Sequence, residues 1–276
     1  MNYYCLVAGL PDIHAEDNKG LPSPLAFREA LEQELTPRDL AMLRLLYARH
    51  DNANLLSILR SRDAVLNPLG NLHATDWEQL LALMQETDTP NDSRLLPYIN
   101  TFYQEILNDE IDEKVSKVDY LAGLYYDYAL QTNNEFLRGW FTFNLDLTNV
   151  LLALTCRKFH LDTKHYVIGN NGVAKMLRVS NARDFGLTGM FDHLEAVVRI
   201  SEESDLAERE KKIDALKWAW LDENTFFHYF SAERVLAYAL KLEMLDRWRL
   251  LSVEKGTEVF RKLLNDLKKE VKIMDI

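Results

Sequence analysis

Turn-forming residues and cysteines are scarce in this chain of 276 residues. It contains only 10 glycines and 7 prolines, too few for the many tight turns of a β-sandwich or a β-barrel. Leucine and alanine, which favour helices, dominate its long segments. The two cysteines, Cys5 and Cys156, are typical of a reducing compartment, and a disulfide between them stays an alternative. The composition therefore predicts an all-α protein of the cytoplasm.

Long apolar runs and an excess of positive charge are also missing. Apolar stretches such as 147–156 are interrupted by polar residues well before the roughly 18 positions that a membrane-spanning helix needs. The first ten residues carry no basic leader, so we expect no secretory signal. The formal net charge of −11 opposes attraction to nucleic acid and to anionic lipid, because both are negatively charged. We expect neither nucleic-acid binding nor direct membrane insertion.

One phrase of the sequence occurs twice, 95 residues apart. The first copy, residues 51–62, reads DNANLLSILRSR, and the second, residues 146–157, reads DLTNVLLALTCR. Apolar residues recur in both at helical spacing, and the Asn of each copy lies beside that apolar stripe. A buried Asn without a partner would cost about 1–3 kcal/mol. If Asn54 and Asn149 are buried, we therefore expect each to hydrogen-bond a neighbouring helix.

A fainter third copy begins at Glu243, where Asp246 takes the position of the Asn. An aromatic residue precedes each copy by a few positions, at Tyr47, Phe141 and Tyr238. Repetition at a fixed period is typical of one helical unit that is used several times. The sequence thus predicts three similar helical units, at 1–90, 91–189 and 190–276.

The repeated phrase resembles a recurring signature of the C-type subunit of V/A-type rotary ATPases, which is named the d-type subunit in eukaryotes. The run FSAERVLAYALKLE at 230–243 is similar to the last unit of that family, and Gly256, Phe260 and Leu263-Leu264 are similar to its end. The whole chain resembles a bacterial family encoded beside V-type ATPase subunits in Bacteroidetes and chlamydiae. The residues that carry this second resemblance are YCLVAGLP at 4–11, DALKW at 214–218 and Arg247-Trp248.

The resemblance implies a funnel-like assembly of three helical units that does no chemistry. It would link the membrane rotor ring to the central-stalk subunits, and it would be associated with the inner membrane only through the complex. A free-standing helical adaptor and a helical hydrolase with a scattered active site are the alternatives. The residues expected at repeat motifs and interfaces are Asp51, Asn54, Arg60, Arg62, Asp146, Asn149, Arg157, Tyr238, Glu243, Arg247 and Trp248.

Chemical motifs are weak in this sequence. Cys156, His160 and His165 have a spacing that zinc ligands use, but no second Cys/His cluster accompanies them. The acidic stretch 109–113 lacks the glycine turn of a calcium loop, so an exposed acidic face is favoured. No phosphate-binding loop, nucleophile elbow or dinucleotide fingerprint is present. We therefore expect no catalytic residue, no metal site and no cofactor.

Overall fold

The computed structural model describes residues 3–15, 20–61, 63–112 and 115–250. Within these ranges the protein consists of α-helices and one 3₁₀ turn (Thr163–His165), without a strand, which confirms the all-α prediction. None of the helices described is both long enough and apolar enough to span a bilayer. The helices are α1 (Tyr4–Ala8), α2 (Pro24–Glu34), α3 (Pro37–Arg60), α4 (Ala74–Glu86), α5 (Pro97–Leu107), α6 (Lys117–Ala129), α7 (Glu135–Phe159), α8 (Gly172–Val179), α9 (Leu194–Ser201), α10 (Leu206–Thr225) and α11 (Ala232–Leu250).

The two long helices α3 and α7 carry the two clear copies of the phrase, and both begin at strong capping residues. The hydroxyl of Thr36 accepts a hydrogen bond from the backbone N–H of Asp39 at 3.3 Å, and Pro37 occupies the first helical turn. At the start of α7, the side chain of Asn134 accepts from the backbone N–H of Leu137 at 2.9 Å. Each cap satisfies a backbone donor that has no partner within the helix, so each fixes where its helix begins.

The described residues fall into two compact units. One combines those of Met1–Glu34 and His228–Ile276. In this unit α2 packs on α11, with the rings of Phe27 and Tyr238 5.1 Å apart. The backbone N–H of Tyr3 also donates to the carbonyl of Phe230 at 2.6 Å, which ties the start of α1 to the residues before α11.

The second unit, Leu35–Phe227, contains α3 to α10. Within it, α6 contacts both long helices through one side chain. The hydroxyl of Tyr125 donates to the carbonyl of Leu45 on α3 at 3.0 Å, and its ring centroid lies 5.8 Å from that of Phe141 on α7. Leu45 and Phe141 differ by one position from the spacing of the repeat. Tyr125 therefore packs between corresponding turns of α3 and α7 that precede the two copies.

The division into units at 1–90, 91–189 and 190–276 stays a prediction. The two compact units are defined by contacts between residues, whereas the three predicted units are defined by repetition of the sequence along the chain. The positions of the third copy that the structure describes lie on α11. Gly256, Phe260 and Leu263-Leu264 lie outside the described residues.

Candidate functional site

In the first copy, the side chain of Asn54 holds the loop that follows its own helix. Its Nδ2 donates to the carbonyl of Asn67 at 3.1 Å, and its Oδ1 accepts from the backbone N–H of the same residue at 2.7 Å. Only 2% of Asn54 is exposed. The amide of Asn54 is thus bonded to the backbone N–H and the backbone carbonyl of one residue, which avoids the cost of an unpaired buried polar side chain.

Asp51, one helical turn earlier, holds the next part of the same loop. Its Oδ2 accepts from Nδ2 of Asn71 at 2.6 Å, and its Oδ1 accepts from the buried backbone N–H of Leu72 at 3.1 Å. A Cβ on Gly70 would lie 2.6 Å from Nδ2 of Asn54 and 2.8 Å from Oδ1 of Asp51, so the loop can approach this closely only without a side chain there. We call Asp51 and Asn54, with the loop residues that they bind, the first anchor.

The second copy makes the same arrangement. Nδ2 of Asn149 donates to the carbonyl of Ile168 and Oδ1 accepts from its backbone N–H, both at 2.8 Å. Oδ1 of Asp146 accepts from Nδ2 of Asn171 at 2.7 Å. Asn171 also caps α8 by accepting from the backbone N–H of Ala174 at 2.9 Å. Asp146, Asn149 and the residues bound to them form the second anchor.

The two copies are therefore alike in structure as well as in sequence. In each, an Asp and an Asn three residues later fix the loop that leads from a long helix to the next helix, α4 or α8. The expected partner was a neighbouring helix, but the observed partner of Asn54 and Asn149 is the backbone of a loop. Asn67 follows Asn54 by 13 residues, whereas Ile168 follows Asn149 by 19. Of these six additional residues, four lie in α7, which continues further beyond its Asn than α3 does, and two lie in the loop before the anchored residue.

The loop residues of the anchors were not among the predicted site residues. A signal for them exists, because Asn71 follows a Gly and Asn171 precedes one, in turn-forming stretches downstream of each phrase. Gly169, next to the anchored Ile168, has φ of +71°. Its ideal Cβ would lie 3.1 Å from the side chain of Leu145, so both anchors contain a glycine that packing favours.

The carboxylate of Asp146 has a perturbed pKa. Burial raises the pKa of Asp146 to about 6, and the hydrogen bond from Asn171 opposes this rise. The side chain of Asp51 accepts one backbone and one side-chain hydrogen bond, whereas the described contact of Asp146 is the single bond from Asn171. The second anchor therefore holds a carboxylate that changes its protonation near neutral pH.

The arginines of the phrase lie at the helix ends. Arg157 donates to the carbonyls of Arg183 at 2.6 Å and Ala182 at 2.7 Å, and its guanidinium lies 3.6 Å from the centroid of the Phe185 ring. Arg60 is the exposed last residue of α3. The corresponding Arg62 lies outside the described residues.

The candidate residues of the fainter third copy all lie on α11. Tyr238 is buried against Phe27, and Glu243 is half-buried. The guanidinium of the exposed Arg247 lies 5.5 Å from the ring of Trp248, which is half-buried. The structure does not bring these residues together with either anchor within one compact unit, and their role at an interface stays a prediction.

A cavity of about 680 Å³ adjoins the first anchor and includes Asp51, Asn71 and Leu72 in its wall. The charged residues of its wall are of both signs. Arg94 contacts Asp76 at 2.5 Å, and Arg44 is exposed. The remaining lining residues are Ala41, Met42, Leu45, Ser93, Leu96, Ile99, Tyr128, Gln131 and Thr132. Among the described residues that line it there is no histidine or cysteine, so these residues offer no nucleophile with a neighbouring imidazole base.

Metal-ligating side chains do not converge in the part of the chain that the structure describes. No group of three or more His, Cys, Asp or Glu residues is placed there to hold an ion. Cys156 is buried, and burial raises the pKa of its thiol. His160 and His165 are exposed, and Nε2 of His165 lies 3.6 Å from a carboxylate oxygen of Asp162. These three residues of the predicted zinc spacing therefore form no ligand cluster.

Comparison with known proteins gives a family match that spans nearly the whole chain. No curated protein and no solved structure matches. The model of a family described as "protein of unknown function (DUF2764)" matches residues 1–271. The chain belongs to the DUF2764 family.

Proposed function

We propose that this protein is a non-catalytic coupling subunit of a V/A-type rotary ATPase, where it links the membrane rotor ring to the central stalk. The observation that carries the proposal is the repeated anchor, in which Asp51/Asn54 and Asp146/Asn149 close two like-built helical segments. The same phrase is the basis of the resemblance to the C-type subunit of these ATPases. In this function the three units form a funnel, and the protein stays at the inner membrane through the complex alone.

The anchors suit a part that transmits torque. A coupling element must resist deformation, and a loop tied by two hydrogen bonds to one buried amide loses both bonds when it moves. Each buried group left without a partner then costs about 1–3 kcal/mol. The Asn149 amide is fully buried, so water does not replace its bonds to Ile168. A stiff connection between helices therefore follows from the phrase itself.

Affinity purification from native membranes tests the proposal. The tagged full chain, extracted in a mild detergent, should bring down subunits of both the catalytic head and the membrane ring. Recovery of the chain without them would reject the coupling function and favour the free-standing adaptor.

A matched pair of variants tests the role of the anchors in coupling. Asn149→Leu keeps the size of the side chain but removes both bonds to Ile168, so we expect ATP hydrolysis to continue while ion pumping per ATP falls. Asn144→Leu is the control, because Nδ2 of Asn144 bonds only the carbonyl of Trp140 on the same helix, at 2.8 Å. Equal pumping in the two variants would refute a mechanical role for the anchor.

A further inference from the structure

A concentration of positive charge surrounds the end of α7. Residues 157–184 contain six Lys or Arg residues against two Asp residues, in a chain whose formal net charge is −11. The segment covers the last turn of α7, the loop with the 3₁₀ turn, α8 and the turn after α8. The members are Arg157, Lys158, Lys164, Lys175, Arg178 and Arg183, with Asp162 and Asp184.

Two of these arginines hold the segment together. Arg157 binds the carbonyls of residues 182 and 183, so the turn after α8 lies against the end of α7. Arg178 donates from Nη2 to the carbonyls of Val167 and Gly169, both at 2.7 Å, which fixes α8 to the anchored loop. The 3₁₀ turn packs on α8 as well. The segment is thus held together as one compact region beside the second anchor, with its exposed side chains on the surface of that region.

Four cations of this surface have no carboxylate partner among the described residues. The side chains of Lys158, Lys164, Lys175 and Arg183 are exposed and form no ion pair there. Lys158 lies only near the ring of Phe159, at 6.0 Å. Elsewhere on the surface, exposed lysines such as Lys211 do pair with a carboxylate, here Glu208 at 2.7 Å. The end of α7 therefore carries an excess of positive charge that the two Asp residues of the segment do not neutralise.

Large apolar side chains are exposed between these cations. Phe159 is 63% exposed and Val179 is 72% exposed, and Leu161 and Tyr166 are exposed by 45% and 40%. Scattered exposed apolar residues are ordinary, but four within one compact segment favour a site of interaction. We call these four residues, with Lys158, Lys164, Lys175 and Arg183, the basic patch.

We infer that the basic patch docks onto an acidic surface of a partner protein, which under the proposed function is another subunit of the rotary ATPase. Aromatic residues and arginine are enriched at protein interfaces, and a positive patch selects a negative one, which is the role of the lysines here. An anionic bilayer fits less well, because its extended charge repels a chain of net charge −11, whereas a localised acidic surface meets only the patch. The partner's identity rests on the proposed function, but the surface rests on its own exposure and charge.

Site-specific photo-crosslinking in living cells tests the inference. A benzophenone-bearing phenylalanine replaces Phe159 in the full chain, and in the control chain it replaces Leu206, which is similarly exposed at 65% but lies on α10. We expect a protein adduct from position 159 and none of comparable yield from position 206.

Charge reversal then shows whether the contact depends on the patch. Lys158→Glu with Lys164→Glu should lower the adduct yield from position 159 by at least about tenfold, because like charges then face each other across the contact. Arg38→Glu with Lys117→Glu makes the same change in net charge at two exposed positions outside the patch and should leave the yield unchanged. Equal loss in both pairs would overturn the inference.

The outcomes separate this inference from the proposed function. An adduct with a rotary-ATPase subunit, lost on reversal of the patch, supports both. An adduct with another acidic protein, lost in the same way, keeps the docking surface and overturns the coupling function. Adducts with lipid alone, or none above the level from position 206, overturn the docking surface even if the tagged chain still brings down the ATPase.

Discussion

Asp146→Asn is expected to stabilise the protein at neutral pH, although it removes a charge from a hydrogen-bonded carboxylate. Oδ1 of Asp146 accepts from Nδ2 of Asn171, and an asparagine retains that acceptor. The charge itself is unfavourable, because burial raises the pKa of Asp146 from 3.8 to about 6. At about 1.4 kcal/mol per pKa unit this corresponds to at most about 3 kcal/mol. Screening reduces the expected gain to about 1 kcal/mol.

The sign of the pH dependence follows from linkage. A pKa raised in the folded state means that folding favours the protonated carboxyl, so this contribution is complete below about pH 4 and is lost as the pH rises through about 6. The advantage of Asp146→Asn should therefore be present at pH 7.5 and small at pH 4.5. Urea unfolding at both pH values measures it. A difference between variant and wild type that does not change with pH would refute the reasoning.

Asp51→Asn at the equivalent position of the first anchor is the control. There both carboxylate oxygens accept hydrogen bonds, one from the buried N–H of Leu72 and one from Asn71. An amide supplies only one acceptor, so one donor loses its partner at a cost of about 1–3 kcal/mol. The same chemical change should thus destabilise the first anchor while it stabilises the second. Similar effects at both positions would contradict the difference described between the two anchors.

Three further substitutions test the packing of the second unit by urea unfolding. Gly70→Ala should destabilise by about 2 kcal/mol or more, because the new Cβ would lie 2.6 Å from Nδ2 of Asn54, whereas Gly172→Ala, whose Cβ would lie 3.4 Å from the nearest side-chain atom, should be neutral or stabilising. Tyr98→Phe should cost about 1–2 kcal/mol, because its buried hydroxyl donates to Oδ1 of Asn52 at 2.6 Å. Equal effects of the two alanines, or no effect of the phenylalanine, would contradict this account.

Local signals made the main helices predictable. Ser23-Pro24 and Thr36-Pro37 indicate helix starts, and α2 and α3 begin at Pro24 and Pro37. The second copy is predicted as helical, and it lies within α7. The apolar run 3–8 leaves strand and helix equally open in the sequence, and the structure resolves it as the short helix α1. Helix capping depends on residues that are close together in the sequence, so the starts of these helices can be predicted from the sequence.

The parts of the fold that depend on contacts between residues distant in the sequence were harder to predict. The linker-like stretch 87–93 predicts that a helix resumes at Arg94, but α5 begins at Pro97. The guanidinium of Arg94 instead forms ion pairs with Asp92 in the turn and with Asp76 on α4. These contacts hold Arg94 in the turn that precedes α5. The repeat predicted the four anchoring side chains but not their partners, because the anchored residue follows its Asn by 13 positions in the first copy and by 19 in the second.

The anchored residues also separate the loop segments that precede them from the helices that follow. One loop segment runs from the end of α3 to Asn67, and another runs from the end of α7 to Ile168. Each segment ends at a residue whose backbone is held by the side chain of one asparagine. Val65, which is 96% exposed, lies in the shorter of these two loop segments. A peptide tag or fluorophore placed there should leave both helices undisturbed, which provides a handle for following rotation or assembly of the intact protein.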